Sequence, residues 1–180
     1  APDDTGDMTV LQAPLTKLGC FSTTHATLFH AIGALDKVSL VTTDKDKWHI
    51  EQVAQQIEDG TTTYVGKNSA PDYELISAAA PQIILISANT MHGSDEVLAK
   101  LDELGIPYIA DSQHLENHPL GRVEWVKLVG ALLDMEEEAD AYFDEEVQRV
   151  NAVAESVAGE SEPPTILQTY IFKGTVYVRN

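Results

Sequence analysis

The sequence predicts an α/β fold: a mainly parallel sheet flanked by helices, then a long helix and two further strands. Three observations carry this expectation. From Leu18 to Ala110, brief apolar runs alternate with longer amphipathic ones, the mark of βαβ units. From Leu120 the pattern turns helical as far as Val157. A Gly, Ser and Pro connector, "AGESEPP", then separates this helical stretch from two strand-like runs, "TILQTYIF" and "TVYVRN".

A polar lead with one small apolar run, "MTVLQAPL", precedes the first strand, Leu18 to Phe21. Thr24 or Thr23 is expected to cap a helix running to about Ile32, with Gly33 as its stop. The strand "KVSLV" follows. In "DKDKWHIEQVAQQIEDG", Trp48, Ile50, Val53 and Ile57 fall at helical spacing, and Gly60 ends the run. Next come "TTYVG", a helix "PDYELISAAA" opened by Pro71, and "QIILIS", which reads as a strand buried on both faces. Ser94 is expected to cap "SDEVLAKLDELG", whose first turn is acidic, and "PYIA" is a short strand. "LGRVEWVKLVGALL" reads as one amphipathic helix. Asp134 with Glu137 resembles a capping box opening a second, "MEEEADAYFDEEVQRVNAVAESV", on the order of 35 Å long at ~1.5 Å per residue.

A chain of 180 residues with 43% apolar side chains can bury a core as one domain, or as one domain plus part of another. Its formal charge of −18 repels phosphate backbones and anionic lipid heads, which argues against a nucleic-acid partner. No run reaches the roughly 18 apolar residues of a membrane span, so direct membrane insertion is not expected, and "APDDTGDM" lacks a signal-peptide pattern. The single cysteine, Cys20, excludes an internal disulfide and reads as a buried strand thiol.

Open parallel sheets bind ligands beyond the carboxyl ends of their strands. The loops there are "STTH" (22–25), "GKNSAP" (66–71), "SANTMHG" (87–93) and "DSQHLENHP" (111–119), all rich in small polar residues, amides and histidine. Ser22, Thr23, Thr24 and His25 fall at a helix N-terminus, whose free N–H groups suit a polar or anionic ligand. The plainer reading makes a threonine the cap and His25 an exposed first-turn residue. The ligand face is expected to comprise Ser22, Thr23, Thr24, His25, Lys67, Asn68, Asn89 and Met91.

No histidine pair has metal-binding spacing, so no metal site and no resident cofactor are expected; His25, His92 and His114 are the loop candidates. Phosphate-loop, dinucleotide and G-x-S-x-G signatures are absent, and no catalytic residue is assigned. Two other readings remain open. One is a small flavodoxin-like enzyme using His25 or His92 as general base. The other is an interaction helix presenting Val147, Val150, Ala154 and Val157.

The order and spacing of several segments resemble a known family. They are "KLGCFSTTHATLFHAIGALDKVSLV", "YVGKNSAPDYELISAAAPQIILIS", "LDELGIPYI" and "HPLGRVEWVKLVGALLDMEEEADAYFDEEV". From about Leu15 to Val178 the chain is similar to the N-terminal lobe of substrate-binding proteins of ABC importers for siderophore-bound iron, haem and cobalamin. In that family one long helix joins two lobes.

The resemblance implies a Rossmann-like ligand-binding lobe over 1–119, a helical segment with the interlobe helix over 120–158, and the start of an incomplete second lobe over 159–180. It implies no enzyme. The implied role is an extracytoplasmic receptor, periplasmic or a membrane-anchored lipoprotein, that holds a ferric siderophore, haem or cobalamin between its lobes and delivers it to an ABC permease. Glu74 in "APDYELI" occupies the place of the family's permease-docking glutamate. The loop "VGKNSAPDY" carries Lys67 and Asn68 where the family often has an aromatic residue, and a positive Lys67 favours a carboxylate or catecholate chelate over a corrin.

Overall fold

A computed structural model describes residues 9–88, 94–159 and 165–178. The chain divides into two compact units, Ala1–Val147 and Gln148–Asn180.

The first unit is built on five parallel strands: β1 (Leu18–Cys20), β2 (Val38–Val41), β3 (Thr63–Tyr64), β6 (Ile83–Ser87) and β7 (Tyr108–Asp111). Their order is β3-β2-β1-β6-β7. A two-residue antiparallel pair, β4 (Gly66–Lys67) and β5 (Ala70–Pro71), follows β3. The helices are α1 (Thr23–Ala31), α2 (Glu51–Asp59), α3 (Tyr73–Ala79), α4 (Ser94–Leu104), α5 (Pro119–Glu124) and α6 (Val126–Leu133). The 22-residue α7 (Glu136–Val157) starts in the first unit and ends in the second.

The apolar run of β6 explains the layering, because consecutive strand residues face opposite sides. Ile83 and Leu85 join a core containing Leu18, Cys20, Phe29, Val53, Val126 and Ala139, so α1, α2, α6 and the start of α7 cover that face. Ile84 and Ile86 join Leu40, Ile76, Val97 and Leu101, so α3 and α4 cover the other. Burial pushes the Cys20 thiol far up, leaving a protonated strand residue.

Several boundaries differ from the sequence reading, each for a local reason. Ser22, not Thr23 or Thr24, caps α1: its Oγ accepts from the Thr24 backbone N–H at 3.2 Å. The helix expected from Asp44 begins only at Glu51. Asp44 caps a 3-10 turn over Lys45–Lys47, and the Trp48 indole N–H donates to the Thr43 carbonyl at 3.0 Å. Asp72, not Pro71, opens α3, its Oδ1 accepting from the N–H groups of Glu74 and Leu75. The helix expected from Leu120 is two helices meeting at Trp125, and His118 caps the first through its Nδ1.

Asp134 forms no capping box. It is the left-handed C-cap of α6, at φ 60°, and its N–H donates to the Gly130 carbonyl. That tight turn carries the chain from α6 into α7, where Gly130 meets Ala139 closely. Lys127 donates to Asp140 at 2.8 Å and lies over the Phe143 ring, and the hydrogen bond to Asp140 raises its pKa.

In the second unit, β8 (Thr169–Phe172) and β9 (Thr175–Val178) form an antiparallel hairpin in which Tyr170 stacks on Tyr177. Both strands are exposed along their length. The valine stripe of α7 is half-buried at Val147 and Val150 and exposed at Ala154 and Val157.

Candidate binding edge

All five strands of the parallel sheet run the same way, so their carboxyl ends share one edge. The chain moves outward from β1 to β2 and β3, then returns to the other side of β1 with β6 and β7. The direction of winding therefore reverses between β1 and β6, and the crevice beyond such a reversal is where open α/β sheets hold ligands.

Ser22 follows β1 at this edge. It is half-buried, and its Oγ also lies 2.7 Å from the Thr24 Oγ1. Thr23 and Thr24 are exposed on the first turn of α1. Lys67 and Asn68 are exposed at the tip of the small β4–β5 hairpin, beyond β3. Among the described residues no hydrogen bond or ion pair engages the Lys67 ammonium. The topology brings these two groups to one edge, and no hydrogen bond joins them. Asn89, Met91 and His92 lie outside the described residues.

His25 is expected on the ligand face or, in the plainer reading, as an exposed first-turn residue, and it is neither. Its ring is fully buried, and its Nε2 meets the Asp111 Oδ2 at the carboxyl end of β7. Burial alone would raise the Asp111 pKa, but hydrogen bonding and charge from His25, with the N–H of Gln113 on Oδ1 at 3.2 Å, hold it below the ordinary carboxyl value. The carboxylate is thus the acceptor and Nε2 the donor. The other ring nitrogen, Nδ1, is buried and has no hydrogen-bond partner among the described residues.

The pair is a brace. It ties the first turn of α1 to the end of β7, while the Ala88 N–H at the end of β6 donates to the Asp111 carbonyl at 2.7 Å. The end of β6 and the turn that opens α1 after β1 are thereby tied to the end of β7 through Asp111. The sequence placed Asp111 in a loop without assigning it a role; an acid closing an apolar run was the available signal.

Among the described residues, no group of three or more His, Cys, Asp or Glu side chains converges as a metal site would require. His114 is exposed in a 3-10 turn, away from any such group. The edge can offer hydroxyls, backbone N–H groups and a free ammonium to a polar ligand.

A family model described as periplasmic binding protein matches residues 20–179. An uncharacterized lipoprotein of Methanocaldococcus jannaschii is 35% identical over 142 residues, covering 75% of this chain and 33% of its own length. Two solved structures share the fold. An iron uptake ABC transporter substrate-binding protein from Streptococcus pneumoniae superposes with a TM-score of 0.68 at 19% identity, over 97% of this chain and 58% of its own. A periplasmic heme binding protein of Vibrio cholerae gives 0.69 at 16% identity, over 91% and 58%. The chain spans a third of the curated relative and somewhat over half of each solved chain.

Proposed function

The chain belongs to the periplasmic binding protein family, and from that premise we propose that it is the N-terminal lobe of a solute receptor serving an ABC importer. Its ligand is a metal chelate or corrinoid: a ferric siderophore in the first place, with haem and the cobalt corrinoid cobalamin as the other members of the class. The reading rests chiefly on the reversal of winding between β1 and β6, which sets a crevice beside the exposed side chains of Thr23 and Thr24. Similarity to an iron-uptake protein and a heme-binding protein supports the ligand class. The free ammonium of Lys67 favours chelates with carboxylate or catecholate oxygens.

On this reading residues 1–119 form the ligand-binding lobe, 120–158 a helical segment ending in the interlobe helix, and 159–180 the start of the second lobe. A lobe that closes over its ligand needs a stiff connector, which a 22-residue helix supplies. Ser22, Thr23, Thr24, Lys67, Asn68, Asn89 and Met91 face the ligand, and His25 serves them from behind through Asp111. Glu74 docks on the permease; its exposure on the first turn of α3, beside the 41% exposed Leu75, suits a protein contact. The family and the lipoprotein relative support an extracytoplasmic place, free or membrane-anchored. No helix among the described residues is long and apolar enough to cross a membrane.

The family is one of binding proteins, not enzymes. The burial of His25 agrees, since a general base must reach the proton it takes.

The test is a titration of the protein, followed by tryptophan emission, with ferric siderophores, haem and cobalamin, beside a longer version carrying a second lobe. Saturable binding by the longer protein, weakened in the 180-residue chain, is the expected result. Failure of both to bind any of them refutes the ligand class.

A further inference from the structure

Beside the binding edge, the structure holds a hollow of about 230 Å³ lined by Thr23, Thr27, Lys47, Trp48, His49 and Ile50. It lies between α1 and the segment joining β2 to α2. We propose that this hollow is a seat for a small planar aromatic carboxylate.

Its walls divide by chemistry. Trp48 and Ile50 supply apolar surface, and both pack against the core that α1 and α2 share. The Trp48 ring is held in place because its N–H is committed to the Thr43 carbonyl. A fixed aromatic face costs a stacking ligand little ordering entropy.

Lys47 and His49 supply positive charge or N–H donors. Both are exposed, and neither makes an ion pair or hydrogen bond through its side chain among the described residues. No carboxylate lines the hollow; of the acids in the same segment, Asp44 caps the 3-10 turn, and Glu58 pairs with Lys45. In a chain of charge −18, a hollow lined by a lysine and an aromatic ring but by no carboxylate runs against the overall charge. Thr23 adds a free hydroxyl, whereas the Thr27 hydroxyl is spent on the Thr24 carbonyl at 2.6 Å.

Size completes the identification. At ~30 Å³ per water, the hollow holds about seven or eight waters, room for one ring with its carboxylate and too little for a haem or a whole chelate. The inference does not depend on the importer reading, because the site lies within one unit and its probe is a simple acid.

The test uses benzoate and the Trp125→Phe protein, in which Trp48 is the remaining indole. Saturable change in Trp48 emission is expected, weakened at least about threefold by Lys47→Gln, as for a partly exposed charge pair. Benzyl alcohol, which lacks the charge, and cyclohexanecarboxylate, which lacks the aromatic face, should both bind more weakly. No saturable change with benzoate overturns the proposal. Equal affinity in Lys47→Gln, or equal binding of benzyl alcohol, also overturns it, since the hollow is then merely apolar.

Discussion

The Nε2 of His25 donates to the Asp111 carboxylate in a buried pair spanning 86 residues of sequence. The contact joins the start of α1 to the end of β7 at the binding edge. Removing one partner leaves the other buried without its counter-group, a far larger cost than losing a surface pair.

His25→Leu and Asp111→Leu should each lower the free energy of unfolding by ~3–5 kcal/mol. The double variant should recover much of that loss, because two apolar groups leave no uncompensated charge. Urea unfolding of the four proteins measures the coupling. Simple additivity would mean that the two side chains do not act as a pair.

The lowered pKa of Asp111 sets a pH dependence of definite sign. Since the folded value lies below the unfolded value of ~3.9, the contribution is fully present above that value and is lost as pH falls through the folded one. The stability gap between the wild type and Asp111→Asn should therefore hold steady near neutrality and narrow in acid. Urea midpoints taken across the acid range would show it, and a gap that widened in acid would reverse the assignment.

Gly130 admits the close approach of α6 and α7. A Cβ there would lie 2.7 Å from the Ala139 Cβ and 2.9 Å from the Met135 carbonyl oxygen. Gly130→Ala should thus destabilise by ~1–3 kcal/mol through overpacking, despite alanine's better helix propensity. A raised melting temperature in this variant would show that the two helices separate without cost.

The layering of the sheet was legible in sequence because "QIILIS" has no polar position to turn toward water, and because the amphipathic runs between strands were long enough for helices. Helix starts were less legible. Ser22, Asp72 and Asp44 each stand beside another plausible cap or helix opener, and the choice depends on which backbone N–H the fold presents. The His25–Asp111 pair had no local signature, since nothing near either residue names its partner. The Trp48 hollow was hidden because residues 44–50 fit helical spacing; the indole bond to Thr43 is what turns that segment into a wall.

The central claim is that the carboxyl edge of the sheet receives the chelate. Amide NMR spectra of the protein with any ferric siderophore that binds, compared with its diamagnetic gallium(III) form, test this directly, because iron broadens the signals of nearby residues. The account predicts broadening at Ser22 to His25 and at Lys67 and Asn68, with Gly33, Gly60 and Gly105 at the opposite edge left sharp. Broadening centred on those glycines would contradict it.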